Sequence, residues 1–169
     1  MEDTMKPKVL IIMGSDSDLP VMEETAKVLT DFNIPFSMTV ASAHRTPQRA
    51  LSLIKDAEKK GVEVIIGAAG MAAHLPGVIA SHTVLPVIGV PLDSSSLNGM
   101  DALLSIVQMP PGIPVATVSV GKAGAKNAAI LAAQIMAGKD PQLTGKLLAH
   151  RKKMAKEVEA KARKVETKK

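Results

Sequence analysis

Four short segments gather side chains that can move a proton or grip an anion. Gly14-Ser15-Asp16-Ser17-Asp18 gathers hydroxyls and carboxylates behind a glycine, and Ser42-Ala43-His44-Arg45 sets an imidazole beside a guanidinium. Gly70-Met71-Ala72-Ala73-His74-Leu75-Pro76-Gly77 carries a second imidazole among small residues, and Asp93-Ser94-Ser95-Ser96-Leu97-Asn98-Gly99 is mostly polar. Imidazole both gives and accepts a proton near neutrality, which suits His44 to general acid/base work. Arginine can grip phosphate through two parallel hydrogen bonds, so Arg45 is a candidate anion ligand.

Each feature also has a plainer explanation. Ser17 or Asp18 can simply cap a helix, although capping does not explain several acceptors in so few positions. A phosphate would be repelled by Asp18, which suits ribose hydroxyls better, whereas Ser15 and Ser17 can donate to phosphate. His44 divides evenly between a proton carrier and an idle surface histidine. His74 can meet a substrate carboxylate or cap the next helix. The Asp93–Gly99 segment is largely ordinary turn chemistry.

The elements that must position these groups follow from hydropathy. Apolar runs at Val9–Met13, Phe36–Ala41, Val62–Ile66, Pro86–Val90 and Pro114–Val120 alternate with helix-compatible stretches at Leu19–Asp31, Pro47–Lys60, Pro76–Ser81, Gly99–Gln108 and Ala123–Ala137. Apolar strands separated by helices predict a parallel sheet covered on both faces. The expected fold is a three-layer α/β/α sandwich on a five-stranded parallel sheet, flavodoxin-like or Rossmann-like, with a long C-terminal helix. In such sheets ligands bind beyond the carboxyl ends of the strands, where the four polar segments fall. Thr46-Pro47 reads as a helix N-cap and first turn, placing His44 and Arg45 beside a helix N-terminus.

One domain spans residues 1–169, with an α/β core over 8–138 and a helical arm over 140–169. Leu143, Leu147, Met154, Val158 and Val165 form a narrow apolar stripe on that arm. The preferred reading packs the arm on a neighbouring subunit rather than on its own domain. The Gly/Ala-rich helix before it permits close helix approach, either to a neighbour or to its own sheet.

Composition closes off several functions. The net charge is +5, but the segment from Lys146 onward holds ten Lys/Arg and three Glu, leaving residues 1–145 at −2. With Phe32 and Phe36 as the only aromatics there is no platform for stacking bases, so no nucleic-acid partner is expected. The four histidines show no metal-ligand spacing and there is no cysteine, so no metal site is expected. Gly121-Lys122-Ala123-Gly124 lacks phosphate-loop spacing. The apolar run Val9–Met13 is too short for a signal or a membrane span, and a cytoplasmic protein is expected.

Taken together, Met13–Asp18, Ser42–Pro47, Ala69–Gly77, Ser105–Pro110 with Gly112–Val115, and Gly121–Ala125 with Asn127–Ala129 closely resemble the class I N5-carboxyaminoimidazole ribonucleotide mutases. The resemblance runs in order over roughly residues 8–138. It implies a homo-octamer with sites near subunit junctions, no metal or organic cofactor, and a ribonucleotide substrate whose carboxylate moves from the exocyclic nitrogen to C4 of the imidazole. Carried over by position, it implies His44 as general acid/base and Ser15, Asp18 and Arg45 as ribonucleotide ligands, with Ser17, Ser42 and His74 as further contacts. Two rivals stand behind it. A class II carboxylase would use carbon dioxide directly on the same fold, but His74-Leu75-Pro76-Gly77 looks like class I. A non-catalytic phosphosugar or flavin-binding module is the other, though no aromatic stands near these loops.

Overall fold

In the computed structural model, which describes residues 6–167, the central strands are buried along their length and send alternate side chains into two cores. On β1 (Val9–Met13), Val9, Ile11 and Met13 face one layer while Leu10 and Ile12 face the other. Strands β3 (Val64–Gly70) and β4 (Val87–Leu92) repeat the alternation, with Val64, Ile66, Ile88 and Val90 on the first side and Ile65 and Val87 on the second. Strands buried on both faces are what a parallel sheet between helical layers requires. The edges are β2 (Phe36–Val40), half-buried, and the two-residue β5 (Ala116–Thr117).

All pairings are parallel in the order β2-β1-β3-β4-β5. Helices α1 (Leu19–Asp31) and α5 (Gly121–Ala137) pack together on one face. Helices α2 (Pro47–Lys60), α3 (Leu75–Ala80) and α4 (Met100–Val107) cover the other. The expected three-layer flavodoxin-like sandwich is the observed one.

Two strands differ from the sequence expectation. Gly67 to Gly70 extend β3, because they pair with Gly89 through Leu92 of β4; their small side chains hid a strand that reads as a loop. Conversely, β5 shrinks to Ala116–Thr117, pairing only with Ile88 and Gly89. The paired glycines matter for the site. A Cβ on Gly67 would lie 3.0 Å from Ile79 Cδ1 and 3.3 Å from Pro76, and one on Gly89 would press on Ile106, Val115 and Pro76. Their absence lets α3 sit close against the sheet, which fixes the segment carrying His74.

Five of the alanines of α5 are spent within the chain. Ala125, Ala128, Ala129, Ala132 and Ala133 are fully buried, and Thr25 Oγ1 donates to the Ala125 carbonyl at 2.7 Å. Helix α6 (Pro141–Glu166) starts on an Asp140 cap that accepts from Gln142 and Leu143. Leu143 is buried, Leu147 packs on the core, and Lys146 Nζ donates to the Phe32 carbonyl at 2.8 Å. Beyond His150, which lies against Phe32, every described residue of α6 is exposed, including Met154, Val158 and Val165. The outermost ends of the domain and arm assignments, residues 1–5 and 168–169, lie outside the described residues.

Candidate active site

The strand order reverses at β1, whose neighbours β2 and β3 carry the loops that follow them to either side of the loop after β1. Adjacent strands lie about 4.8 Å apart, so the β2 and β3 loops are separated by about 10 Å, within reach of two facing imidazoles. His44 Nε2 and His74 Nδ1 lie 2.7 Å apart, with the rings edge-to-face at 4.8 Å between centroids. One ring nitrogen must donate and the other accept, so the contact holds a single proton between the two rings.

The loop after β1 is a short 3-10 turn over Asp16–Asp18. Ser15 caps it, and Asp18 Oδ2 accepts from the Ser15 N–H at 3.0 Å, so the pair closes a capping box. Ser17 Oγ donates to Ser15 Oγ at 2.9 Å, and Ser15 Oγ donates to Asp16 Oδ1 at 3.1 Å. Burial pushes the Asp18 carboxyl above the ordinary aspartate value, and the Ser15 and Ser17 hydrogen bonds offset that only in part.

After β2, Thr46 occupies the N-cap position of α2 with Pro47 next, as expected, but its hydroxyl does not cap the helix. It accepts from the Ser42 N–H at 2.9 Å and donates to the Ser42 carbonyl at 3.2 Å. Ser42 Oγ accepts from the Arg45 N–H at 3.1 Å, so the His44 loop is tied at both ends. Arg45 Nη2 donates to the Gly14 carbonyl at 3.3 Å, clasping the β2 loop to the β1 loop.

After β3, the His74 side chain does not cap α3, which leaves its ring for His44. Ahead of it, Met71 takes φ of 56°, a left-handed conformation that costs a side-chain-bearing residue about 1 kcal/mol. The Ala73 N–H donates to the Met71 carbonyl at 2.9 Å and the His74 N–H to the Ala72 carbonyl at 2.8 Å.

These loops enclose one cavity of about 540 Å³, a size suited to a small-molecule ligand. All seven residues singled out from the sequence, Ser15, Ser17, Asp18, Ser42, His44, Arg45 and His74, line it. Gly70, Met71, Ala72 and Leu75 form its apolar wall, and Ser94 reaches it from the loop after β4. Ser94 was hidden among turn residues; its neighbour Ser95 does serve the turn, donating to Asp101 at 2.9 Å. Only Ser94's place just beyond a strand end could have marked it. Among the described residues, no three His, Cys, Asp or Glu side chains gather as a metal site, and no helix is long and apolar enough to cross a membrane.

A hydroxyl-rich turn, an arginine and a paired imidazole meet at the switch point of a parallel sheet, the place where open α/β proteins bind their ligands. The sequence profile of the AIR carboxylase family matches residues 8–157, and the chain belongs to that family. The N5-carboxyaminoimidazole ribonucleotide mutase of Pyrococcus horikoshii is 60% identical over 161 residues, covering 95% of this chain and 90% of its own length. That of Thermotoga maritima is 55% identical over 160 residues, 95% of this chain and 92% of its own. The phosphoribosylaminoimidazole carboxylase of Saccharomyces cerevisiae is 51% identical over 99% of this chain, which spans 29% of that protein. The crystal structure of Treponema denticola PurE superposes with a TM-score of 0.85 at 31% identity, covering 94% of this chain and 98% of that one.

Proposed function

We propose that this protein is an isomerase of purine biosynthesis that moves the carboxylate of N5-carboxyaminoimidazole ribonucleotide reversibly from the exocyclic nitrogen to C4 of the ring, with His44 as general acid/base. The observation that carries the reading is the 2.7 Å meeting of His44 and His74 inside the cavity that Ser15, Ser17, Asp18, Ser42 and Arg45 also line. In the first half-reaction a proton reaches the exocyclic nitrogen as its bond to the carboxylate breaks, releasing carbon dioxide and aminoimidazole ribonucleotide. In the second, the enamine-like C4 attacks carbon dioxide and then gives up its own proton. The proton spent first is recovered last, so one imidazole serves both steps.

Such positioned proton transfer contributes about 10²–10⁴-fold. The remainder comes from holding carbon dioxide beside C4 away from water. In this reading His74 sets which nitrogen of His44 carries the proton. Arg45 and the serines of the first loop hold the phosphate, and Asp18 accepts from ribose hydroxyls. The proposal includes the homo-octamer and cytoplasmic setting expected from the sequence. It also lays the exposed Met154-Val158-Val165 stripe of α6 on a neighbouring subunit, a role supported by its lack of cover within the chain.

The test is substrate choice. The purified protein is expected to convert the N5-carboxylated ribonucleotide much faster than it carboxylates aminoimidazole ribonucleotide supplied with bicarbonate. The reverse preference would replace this reading with that of a direct carboxylase.

A further inference from the structure

We propose that Met71 retains carbon dioxide in the site between its release and its recapture, an inference that rests on the carboxylate-transfer reading above. From Ala69 to Ala73 the chain is alanine and glycine except for Met71, and the one other long apolar side chain on this wall of the cavity, Leu75, is buried while Met71 is exposed. Met71 is 62% exposed, so core burial does not account for it. Its φ of 56° is one that glycine adopts without steric cost. The hydrogen bonds that close the turn run from Ala73 to Met71 and from His74 to Ala72, so the turn that places Met71 also places His74. A long side chain kept where glycine would fit more easily, at the rim of the reacting cavity, points to a role in the site.

The chemistry defines the role. Breaking the nitrogen–carboxylate bond yields carbon dioxide, a neutral and weakly hydrated molecule with nothing to anchor it. It must remain beside C4 until the new carbon–carbon bond forms. Through a wet mouth it would escape, leaving aminoimidazole ribonucleotide and, in solution, bicarbonate. An unbranched thioether with several rotatable bonds moulds itself over a ligand and keeps water out. Unlike lysine it carries no amine to capture carbon dioxide.

The experiment compares the full-length protein with Met71→Gly and Met71→Leu, using N5-carboxyaminoimidazole ribonucleotide in isotopically labelled bicarbonate. It reads aminoimidazole ribonucleotide released per molecule of C4-carboxylated product, label entering that product, KM, and native mass by light scattering. After subtraction of spontaneous decay, Met71→Gly is expected to raise release and labelling severalfold with KM little changed. Met71→Leu keeps an apolar cover and is expected to partition like the native protein. A glycine variant with native partitioning overturns the inference while leaving the reaction in place. A glycine variant whose mass changes along with its partitioning also overturns it, making Met71 a subunit contact. A native protein that forms no C4-carboxylated product overturns the functional reading first, and this inference with it.

Discussion

Two cavities open at opposite ends of the sheet, and the larger is the poorer candidate for chemistry. The one at the carboxyl ends of the strands has a volume of about 540 Å³, and the one at the amino ends of β4 and β5 about 770 Å³. At the amino ends the polar groups are mostly satisfied by near neighbours in sequence. His82 Nδ1 lies 2.8 Å from the Val78 carbonyl and 2.9 Å from Ser81 Oγ, and Ser81 Oγ itself donates to Val78. Among the described residues, the one distant tie between side chains there is from Thr83 to Glu58. At the carboxyl ends the decisive contacts join different loops: His44 to His74 across 30 positions and Arg45 to Gly14 across 31. Convergence of groups from separate strands, rather than volume, separates a built site from a surface hollow.

The most direct way to break that contrast is to remove the proton carrier. His44→Asn keeps a polar side chain of similar reach but cannot shuttle a proton. It is expected to lower kcat by about 10²–10⁴-fold. Ribonucleotide binding, measured by calorimetry, should survive. Unchanged turnover would show that the convergence of the two histidines is structural. His74→Asn tests the partner. It leaves His44 in place without its 2.7 Å ring contact, so kcat should fall by roughly tenfold to a hundredfold, less than for loss of the carrier itself. The measurement is the split between kcat and KM: a fall confined to kcat fits an orienting role, whereas a rise confined to KM would make His74 a substrate contact only.

Why the sequence revealed some of this and not the rest is visible residue by residue. Alternating apolar runs made the sheet legible, because burial on two faces leaves a continuous hydrophobic mark, as at Val9–Met13. The glycine pair Gly67 and Gly89 left no such mark, since its effect is the close seat of α3 and depends on what packs above it. The seven lining residues were legible because they follow strand ends and are chemically unusual there. That His44 meets His74 was not legible, for it depends on β2 and β3 flanking β1 in space although β1 precedes both in sequence. The positive φ of Met71 was equally hidden, since methionine gives no signal for that conformation.

Asp18 sharpens the comparison through pH. Burial holds its carboxyl above the ordinary value of 3.8, because the charged form loses solvation. For stability the sign is fixed by that direction. Asp18 favours the fold below the unfolded value, and that contribution is lost as pH rises through the folded one. For binding the sign reverses, since ribose hydroxyls need the ionised acceptor. KM is therefore expected to rise as pH falls from neutrality, beginning at a higher pH than an ordinary aspartate would allow. Asp18→Asn should flatten that limb while raising KM a few-fold at neutral pH. A limb that persists unchanged in the asparagine variant would assign it to another group.

The smallest expected effect belongs to the other cavity. His82 has the same ring as His44, and it too lies within hydrogen-bond reach of a neighbour, but its Nδ1 contacts are with Val78 and Ser81, close by in the chain. His82→Ala should leave kcat/KM for the ribonucleotide within about twofold of native, as expected for a surface change remote from the chemistry. Both kcat/KM and the elution volume need measuring, because the hollow also lies beside β5, an edge strand of the sheet. A kcat/KM loss comparable to that of His74→Asn, with elution unchanged, would mean that local satisfaction of a histidine does not mark it as idle. The criterion separating the two cavities would then fail on the residue chosen to test it.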